Sequence, residues 1–265
     1  MKFWRLGVIG SPIHHSVSPQ LHAAGLAYLG FEGNSKRVDI DEANAGKIRE
    51  VMGLEFDALS LTMPLKVVAA ALCDELDERA RSLGVVNSLL WRDEKLLGAS
   101  TDGAGFIDSL RGEFSLSVAD MHVVVVGSGA AARAIVDSLV REDVHSVTVL
   151  GRNPKTVLSL VDQYSNVVDH SVIFRPVDLI VNTTPSLSRE PVNAVMQGVT
   201  RETVAVDITY EPRRSPWLER HAQLGCRNTN GLSMLAYTVA RQMNWWWDSD
   251  IPGSYLLPAL LQAIE

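Results

Sequence analysis

The sequence predicts an α/β protein of two domains, one of which is built on a doubly wound parallel sheet. Short apolar runs alternate with amphipathic segments along most of the chain. One of these runs, the "HVVVV" that begins at His122, is apolar throughout, which is typical of a strand buried on both faces of a parallel sheet. The length of 265 residues, 46% of them hydrophobic, suits one large or two modest domains with real cores.

The first hundred residues alternate between strands and helices. "RLGVIG" precedes a helix that begins at Pro19, "SKRVDI" precedes a helix over 43–52, and "ALSLTM" precedes a helix that begins at Val67. The segment "VVNSLLWRDEKLLGAS" interrupts this order, because two strand-like runs flank Asp93 and Glu94 and predict a hairpin. We expect a domain edge after the hairpin, before the helical "GAGFIDSLRGEF".

The second half of the chain repeats the alternation around the apolar run at His122. "SVTVLG", "VDLIVNTT" and "TVAVDITY" predict further strands, and the chain becomes helical from Leu232 to its end. These strands complete the predicted doubly wound sheet.

The net charge and the cysteines restrict the class of partner. A net charge of −7 and a pI near 5.5, without long basic runs, argue against nucleic acid or an anionic membrane and favour a small-molecule ligand. Cys73 and Cys226 show neither CxxC nor Cys/His spacing, so we expect no disulfide framework, no zinc site and a reducing cytoplasm. No apolar run suggests a signal peptide or a membrane span, which predicts a soluble protein.

The glycine turn after the buried strand indicates a dinucleotide site. "GSGAAA" has the form G-x-G-x-x-A between a strand and a helix. Gly127 permits the tight turn, Gly129 lets the backbone approach a pyrophosphate, and Ala132 keeps the helix close to the sheet. A turn selected only for packing is the alternative. The residues that we expect to bind the cofactor here are Gly127, Ser128, Gly129, Ala130 and Ala131.

The next strand, "SVTVLGRN", favours NADP over NAD. Its end should lie beside the adenosine ribose, where an acidic residue would bind the 2'-hydroxyl and an arginine would bind a 2'-phosphate. Arg152 stands there with Lys155 three residues on, and no acidic residue is present. Both cations could instead be only solvated surface groups. We also assign Thr183 and Gly231 to the cofactor site.

Lys66 and Asp102 are the candidate acid–base pair. Lys66 follows "ALSLTM" in the turn at the carboxyl end of a strand, where α/β proteins gather ligands. An enzyme that reduces a carbonyl with a nicotinamide must protonate the new alkoxide, and an ammonium beside a carboxylate suits that role. Asp102, in "STDG", would orient the ammonium. Taken singly, Lys66 could be a surface lysine and Asp102 a helix N-cap.

Six motifs in order resemble those of the shikimate dehydrogenase family, and the resemblance covers nearly the whole chain. "GSPIHHSVSPQLH" is similar to its N-terminal signature, "LTMPLK" to the segment of the catalytic lysine, and "STDG" to the segment of the catalytic aspartate. "GVVNSL", "DITYEPRRSPWL" and "NGLSML" are similar to three further motifs.

The resemblance implies an NADP-dependent oxidoreductase that reversibly reduces 3-dehydroshikimate to shikimate, a step of aromatic amino acid biosynthesis. Ser16, Ser18 and Tyr210 would hold the substrate carboxylate, and Thr62, Lys66, Asn87 and Asp102 would face its ring hydroxyls. The family fold implies a substrate domain over 1–103 and 239–265, closed by C-terminal helices, and a Rossmann domain over 104–238. We expect a monomer or a homodimer.

Two departures from the family pattern leave the substrate open. Ser60 and Thr238 stand where the family offers an asparagine and a glutamine near the substrate hydroxyls. Such changes alter substrate choice, because a polar site rejects ligands that leave its groups unpaired. A paralogue for quinate, an aminated shikimate or another cyclic hydroxy acid is the first alternative. A weakly catalytic nucleotide-binding regulator is the second.

The histidines near the N-terminus do not predict a metal site. His14, His15 and His22 lack carboxylate or cysteine neighbours at ligand spacing, and the resembled family uses no metal. We expect His15, which matches the family signature, to be structural.

Overall fold

A computed structural model describes residues 2–169, 176–184 and 198–264. The chain divides into two compact units, the first formed by Met1–Ser109 with Leu235–Glu265 and the second by Leu110–Met234. Each unit carries its own sheet flanked by helices, so the predicted α/β fold is confirmed.

The strands are β1 (Trp4–Gly10), β2 (Gly33–Asp39), β3 (Ala58–Leu61), β4 (Glu75–Leu76), β5 (Ser88–Arg92), β6 (Lys95–Ala99), β7 (His122–Val126), β8 (Ser146–Leu150), β9 (Val167–Asp169), β10 (Val177–Asn182), β11 (Val199–Asp207) and β12 (Arg227–Asn230). The α-helices are α1 (Ser18–Leu29), α2 (Lys47–Val51), α3 (Glu78–Leu83), α4 (Asp102–Phe114), α5 (Ala130–Arg141), α6 (Pro154–Val161), α7 (Pro216–Gln223), α8 (Leu232–Trp247) and α9 (Gly253–Ile264). Short 3₁₀ helices cover Glu42–Asn44 and Val68–Leu72.

The sheet of the first unit is mixed and has the strand order β2-β1-β3-β5-β6-β4. β1 runs parallel to β2 and β3, whereas β5 runs antiparallel to β3 and β6. The predicted hairpin is confirmed as β5–β6, with Asp93 and Glu94 at positive φ in its turn. Because of these directions, the ends of β1, β3 and β6 and the start of β5 meet at one edge of the sheet.

Apolar side chains from both faces of that sheet form the core of the first unit. Phe56, Leu59 and Leu89 belong to one buried cluster. Helix α8 contributes Met243 and Trp246, both fully buried. Within the described ranges, no helix is long and apolar enough to cross a membrane.

The sheet of the second unit is wholly parallel, with the order β12-β11-β10-β7-β8-β9. The chain starts at β7 in the centre, proceeds outward through β8 and β9, and returns to the other side of β7 with β10. This is the order of a doubly wound dinucleotide-binding sheet, which was predicted from the apolar run at His122. The switch in direction between β7 and β10 opens a crevice at the carboxyl ends of these strands.

Two predicted helices of the first unit are shorter than the sequence pattern indicated. The segment over 43–52 divides into a 3₁₀ turn at Glu42–Asn44 and helix α2. The helix expected from Val67 is a 3₁₀ turn at Val68–Leu72, followed by strand β4. Pairing with β6 competes with the helix, because the Asp74 amide donates to the carbonyl of Leu96 at 2.8 Å.

Candidate active site

Four segments meet at the strand-end edge of the first sheet. They follow β1, β3 and β6 and precede β5, and they carry, respectively, Ser16, Lys66, Asp102 (the first residue of α4) and Asn87. This convergence is the local reason why residues that are far apart in sequence lie together.

Lys66 and Asp102 form a close, shielded ion pair. The Lys66 ammonium lies 2.6 Å from Asp102 Oδ2, and the two side chains are only 15% and 7% exposed. The backbone also holds the lysine, because its carbonyl accepts a hydrogen bond from the Val86 amide at 2.9 Å. Asp102 is the first residue of α4, so its carboxylate also lies at the positive end of that helix.

Asn87 donates a hydrogen bond to the second oxygen of the Asp102 carboxylate. Its Nδ2 donates to Asp102 Oδ1 at 2.8 Å and to Thr101 Oγ1 at 3.0 Å, while its Oδ1 accepts from the Thr101 amide at 2.7 Å. Both carboxylate oxygens of Asp102 therefore accept a hydrogen bond. Asn87 holds the carboxylate in place, and the carboxylate in turn holds the Lys66 ammonium. This arrangement can deliver a proton from Lys66 to an alkoxide that forms next to it.

Ser16 and Ser18 lie in the loop before α1 and in its first turn. Their hydroxyls are 3.2 Å apart, and the Ser18 amide donates to Ser16 Oγ at 3.3 Å. Arg37 on β2 holds the loop by donating from Nε to the carbonyl of Ser16 at 2.5 Å. Thr62, half-buried, directly follows β3.

Ser60 lies in a buried polar network. Its hydroxyl donates to Gln242 Oε1 at 2.5 Å and lies 3.0 Å from His22 Nε2. Thr238, one turn earlier on α8, is also buried, and in the described part of the chain its hydroxyl has no hydrogen-bond partner. It packs against α4 where Gly105 has no side chain, since a Cβ there would overlap the Thr238 hydroxyl.

The sequence interpretation missed Gln242 and gave His22 no role. Gln242 is 2% exposed, and its Nε2 donates to the Asn87 carbonyl at 2.7 Å. His22 is fully buried, its Nδ1 lies 2.8 Å from Ser35 Oγ, and burial lowers its pKa to about 3. The signal for Gln242 was a polar residue at the helical spacing of the apolar residues Val239 and Trp246.

In the second unit, the glycine turn is built as its spacing predicted. Gly127 has a φ of +122°, and a Cβ there would overlap the Thr183 hydroxyl. That hydroxyl and the Thr183 amide both donate to the Val126 carbonyl at 2.8 Å, which places Thr183 against the turn. At Gly129 no heavy atom lies within 4 Å of an added Cβ, so the backbone that leads into α5 is open to a ligand. The donor groups of this turn fit a dinucleotide pyrophosphate.

The remaining candidate cofactor residues surround this turn or lie on neighbouring loops. Ser128 Oγ is 2.6 Å from Thr156 Oγ1. Ala130 and Ala131 begin α5. Arg152 and Lys155 are exposed after β8.

Two further candidates follow the last strands of this sheet. Tyr210, half-buried, follows β11. Gly231 follows β12, and its amide donates to the Thr209 carbonyl at 3.0 Å. A side chain at Gly231 would overlap the Ile208 carbonyl oxygen, which explains the glycine.

Across residues 2–169, 176–184 and 198–264, no cluster of three histidine, cysteine or acidic side chains could hold a metal ion.

Comparison with known families matches most of the chain. Residues 8–89 match the family described as shikimate dehydrogenase substrate binding domain, and residues 110–214 match the family described as shikimate / quinate 5-dehydrogenase. The first match contains Lys66 and Asn87, and the second contains the glycine turn and Arg152.

Individual relatives agree with these matches. A shikimate dehydrogenase (NADP(+)) of an Exiguobacterium species is 31% identical, over 97% of this chain and 99% of the relative. One from Geobacillus kaustophilus is 28% identical over 91% of each chain. The crystal structure of the Thermus thermophilus shikimate 5-dehydrogenase in complex with shikimate is 30% identical, covers 100% of this chain and 99% of its own, and superposes with a TM-score of 0.86.

Proposed function

Because the chain belongs to the shikimate dehydrogenase family, we propose that it catalyses the NADP-dependent, reversible reduction of 3-dehydroshikimate to shikimate. The observation that carries this proposal is the Lys66–Asp102 pair, held at 2.6 Å on the edge where the Ser16 loop also lies. A binding protein without activity has no need of a shielded ion pair arranged for proton transfer.

In this proposal Lys66 is the acid–base group. When the ketone is reduced, the Lys66 ammonium donates a proton to the alkoxide oxygen, and in the reverse direction the neutral amine accepts it. Asp102 holds the ammonium at its place and stabilises its charge. Thr62 and Asn87 face the ring hydroxyls. Ser16, Ser18 and Tyr210 bind the substrate carboxylate, for which the amides at the start of α1 are a suitable environment.

The second unit is proposed to hold the cofactor. Gly127, Ser128, Gly129, Ala130 and Ala131 would receive the pyrophosphate at the start of α5. Thr183 and Gly231 would lie along the bound dinucleotide, which supplies the hydride. Arg152 and Lys155 would bind a 2'-phosphate, since both are exposed and cationic at the end of β8. A relative's structure in complex with NADP(H) and shikimate, 29% identical, supports the choice of NADP.

Ser60 and Thr238 favour a second candidate, a dehydrogenase for another cyclic hydroxy acid such as quinate or an aminated shikimate. The Ser60 hydroxyl is already used by Gln242 and His22, and the Thr238 hydroxyl is buried without a partner among the described residues. Both positions are proposed to border the polyol side of the site, where a changed hydrogen-bond pattern changes the preferred ring substituents.

A substrate panel tests both candidates and the regulator alternative. The purified protein is assayed with shikimate, quinate and an aminated shikimate, each with NADP and with NAD. We expect the highest kcat/KM for shikimate with NADP. A higher kcat/KM for another acid selects the paralogue. Turnover with none of them, together with measurable nucleotide binding, selects the regulator.

The cellular setting is also proposed. Cys73 and Cys226 are both free, which suits a reducing cytoplasm. We infer a monomer or a homodimer, which light scattering on the purified chain distinguishes.

A further inference from the structure

We propose that Gln242 is a positioning residue for the reaction, which holds Asn87, and through it the Lys66–Asp102 pair, in the reactive arrangement. The inference rests on the proposed function, because it requires Lys66 and Asp102 to be the acid–base pair. Gln242 lies on α8, far from the pair in sequence, and is buried.

The contacts of Gln242 leave its side chain one orientation. Its Nε2 lies 2.7 Å from the Asn87 carbonyl, which can only accept, so the amide nitrogen must face that carbonyl. Its Oε1 then faces Ser60, whose hydroxyl donates to it at 2.5 Å. An amide at this position satisfies both neighbours, which neither a hydrocarbon nor a carboxylate does.

The hydrogen positions on His22 and Ser35 follow from the contact between Ser60 and Gln242. Because the Ser60 proton is used by Gln242, the hydroxyl must accept from His22 Nε2, which therefore carries the ring proton. His22 Nδ1 then accepts from the Ser35 hydroxyl. The ring is neutral and fully buried, so the order of donors is kept throughout the working pH range.

At its other end the network reaches the ion pair. The Asn87 carbonyl accepts both from Gln242 Nε2 and from the Leu61 amide, the latter at 2.8 Å, so both of its lone pairs are used. The Asn87 side chain then donates to Asp102 Oδ1, and Asp102 Oδ2 holds Lys66. Asn87 is thus the single residue between Gln242 and Asp102. A change at Gln242 that moves Asn87 therefore also moves the Asp102 carboxylate.

The ionisable groups along this network are His22, Asp102 and Lys66. On α8 itself the neighbouring charged residue, Arg241, pairs at the surface with Asp108 of α4, at 2.5 Å. Wild-type Gln242 contributes no titration of its own, so an acid placed there adds a new ionisation whose effect on the rate is measurable.

The test is Gln242→Glu, assayed with the full chain, shikimate and NADP over a range of pH. The protonated acid can donate to Asn87 and accept from Ser60 as the amide does, whereas the carboxylate opposes the Asn87 carbonyl with a second acceptor. Burial raises the pKa of such a carboxyl above its usual value of ~4.3. We expect kcat to fall about tenfold or more at about pH 9 and to recover to within about threefold of wild type at about pH 6, with KM little changed.

Asn244→Asp is the matched control. It makes the same amide-to-acid change on the same helix, at a side chain that binds the Ile251 backbone and Ser249 instead of the ion-pair network. We expect its thermal stability to fall while kcat keeps the wild-type pH profile. Gln242→Met, which cannot titrate, should lower kcat by a factor that is the same at every pH.

The outcomes separate this inference from the proposed function. If wild type turns over none of the panel acids, the proposed function fails. If wild type is active and Gln242→Glu keeps full kcat at about pH 9, or loses it equally at every pH while folded by circular dichroism, Gln242 is only a packing residue.

Discussion

Replacing Asp102 by asparagine tests the ion pair at the centre of the proposed chemistry. The carboxylate accepts from two donors, Lys66 Nζ at 2.6 Å and Asn87 Nδ2 at 2.8 Å. Asparagine has a single acceptor oxygen, so its own NH₂ group must face one of the two donors. At least one contact is lost, and with it the negative charge next to the ammonium.

The lost contact sets the expected decrease in kcat and in stability. A hydrogen bond to a charged group contributes about 1.5–3 kcal/mol, which corresponds to about a 10-fold to 150-fold change in rate when it is needed to place the acid. The substitution also removes the acidic partner of a lysine side chain that is only 15% exposed, and breaking a buried pair in this way costs about 3 kcal/mol of stability. We therefore expect kcat to fall by one to two orders of magnitude or more, with the unfolding midpoint in urea lowered.

The assay follows NADPH absorbance with shikimate as substrate, and the free energy of unfolding is measured in parallel. Asp108→Asn is the control, since Asp108 lies on the same helix and its carboxylate is paired with Arg241 at the surface. It should lose at most about 1 kcal/mol of stability and none of the turnover. A kcat for Asp102→Asn within twofold of wild type would refute the role given to the carboxylate.

Four further substitutions test the acid, the cofactor site and the buried histidine. Lys66→Ala should lower kcat by at least about 100-fold to 1000-fold while the dissociation constant of NADP, measured by calorimetry, stays unchanged; near-normal turnover would exclude Lys66 as the acid. Arg152→Ala should weaken NADP binding by about 1.5–3 kcal/mol and leave NAD binding unaltered, whereas equal loss for both would mean that no 2'-phosphate is bound there. Gly127→Ala forces a side chain onto a φ of +122° and against Thr183, so nucleotide affinity and stability should both fall, by about 1–3 kcal/mol for the strain; wild-type values for both would contradict the turn geometry. The pKa of His22 is lowered to about 3, so the unfolded chain binds a proton that the native ring excludes, and stability should decline as the pH drops below about 6.5. His22→Gln should flatten that decline between about pH 7 and about pH 5 in urea titrations, and an unchanged slope would show that His22 titrates normally.

The parts of the fold that the sequence predicted correctly are those whose cause is local. The strand at His122–Val126 and the glycine turn after it are adjacent in sequence. An uninterrupted apolar run of this length is typical of a buried parallel strand. The helix expected from Val67 failed for the opposite reason. Its residues favour a helix locally, but Asp74 and the strand β4 pair with β6, some twenty residues further on.

In the candidate site, too, the sequence predicted features with a local cause and missed those that depend on distant residues. Lys66 and Asp102 were selected by their positions at the ends of strands, and the structure brings them into contact. Gln242 could not be selected, because its partner Ser60 lies 182 residues away and no spacing rule connects them. A single polar residue on an apolar helix face indicates a buried hydrogen bond but does not identify its partner. The roles of all these residues in binding and catalysis stay predictions.

The division of the first unit into two stretches of chain has a consequence for how the protein is made. The second unit, Leu110–Met234, lies in sequence between the sheet of the first unit and most of helix α8, which carries Gln242 and Trp246. Domains generally fold as units during synthesis, in the order in which they emerge. The ribosome therefore delivers the whole second unit while the first still lacks the helix that fills its core and holds Asn87. A nascent chain stalled before α8 would have a folded second unit and a first unit in which the proposed proton-transfer pair still lacks α8. On our proposal, the ability to bind cofactor therefore arises before the ability to use it.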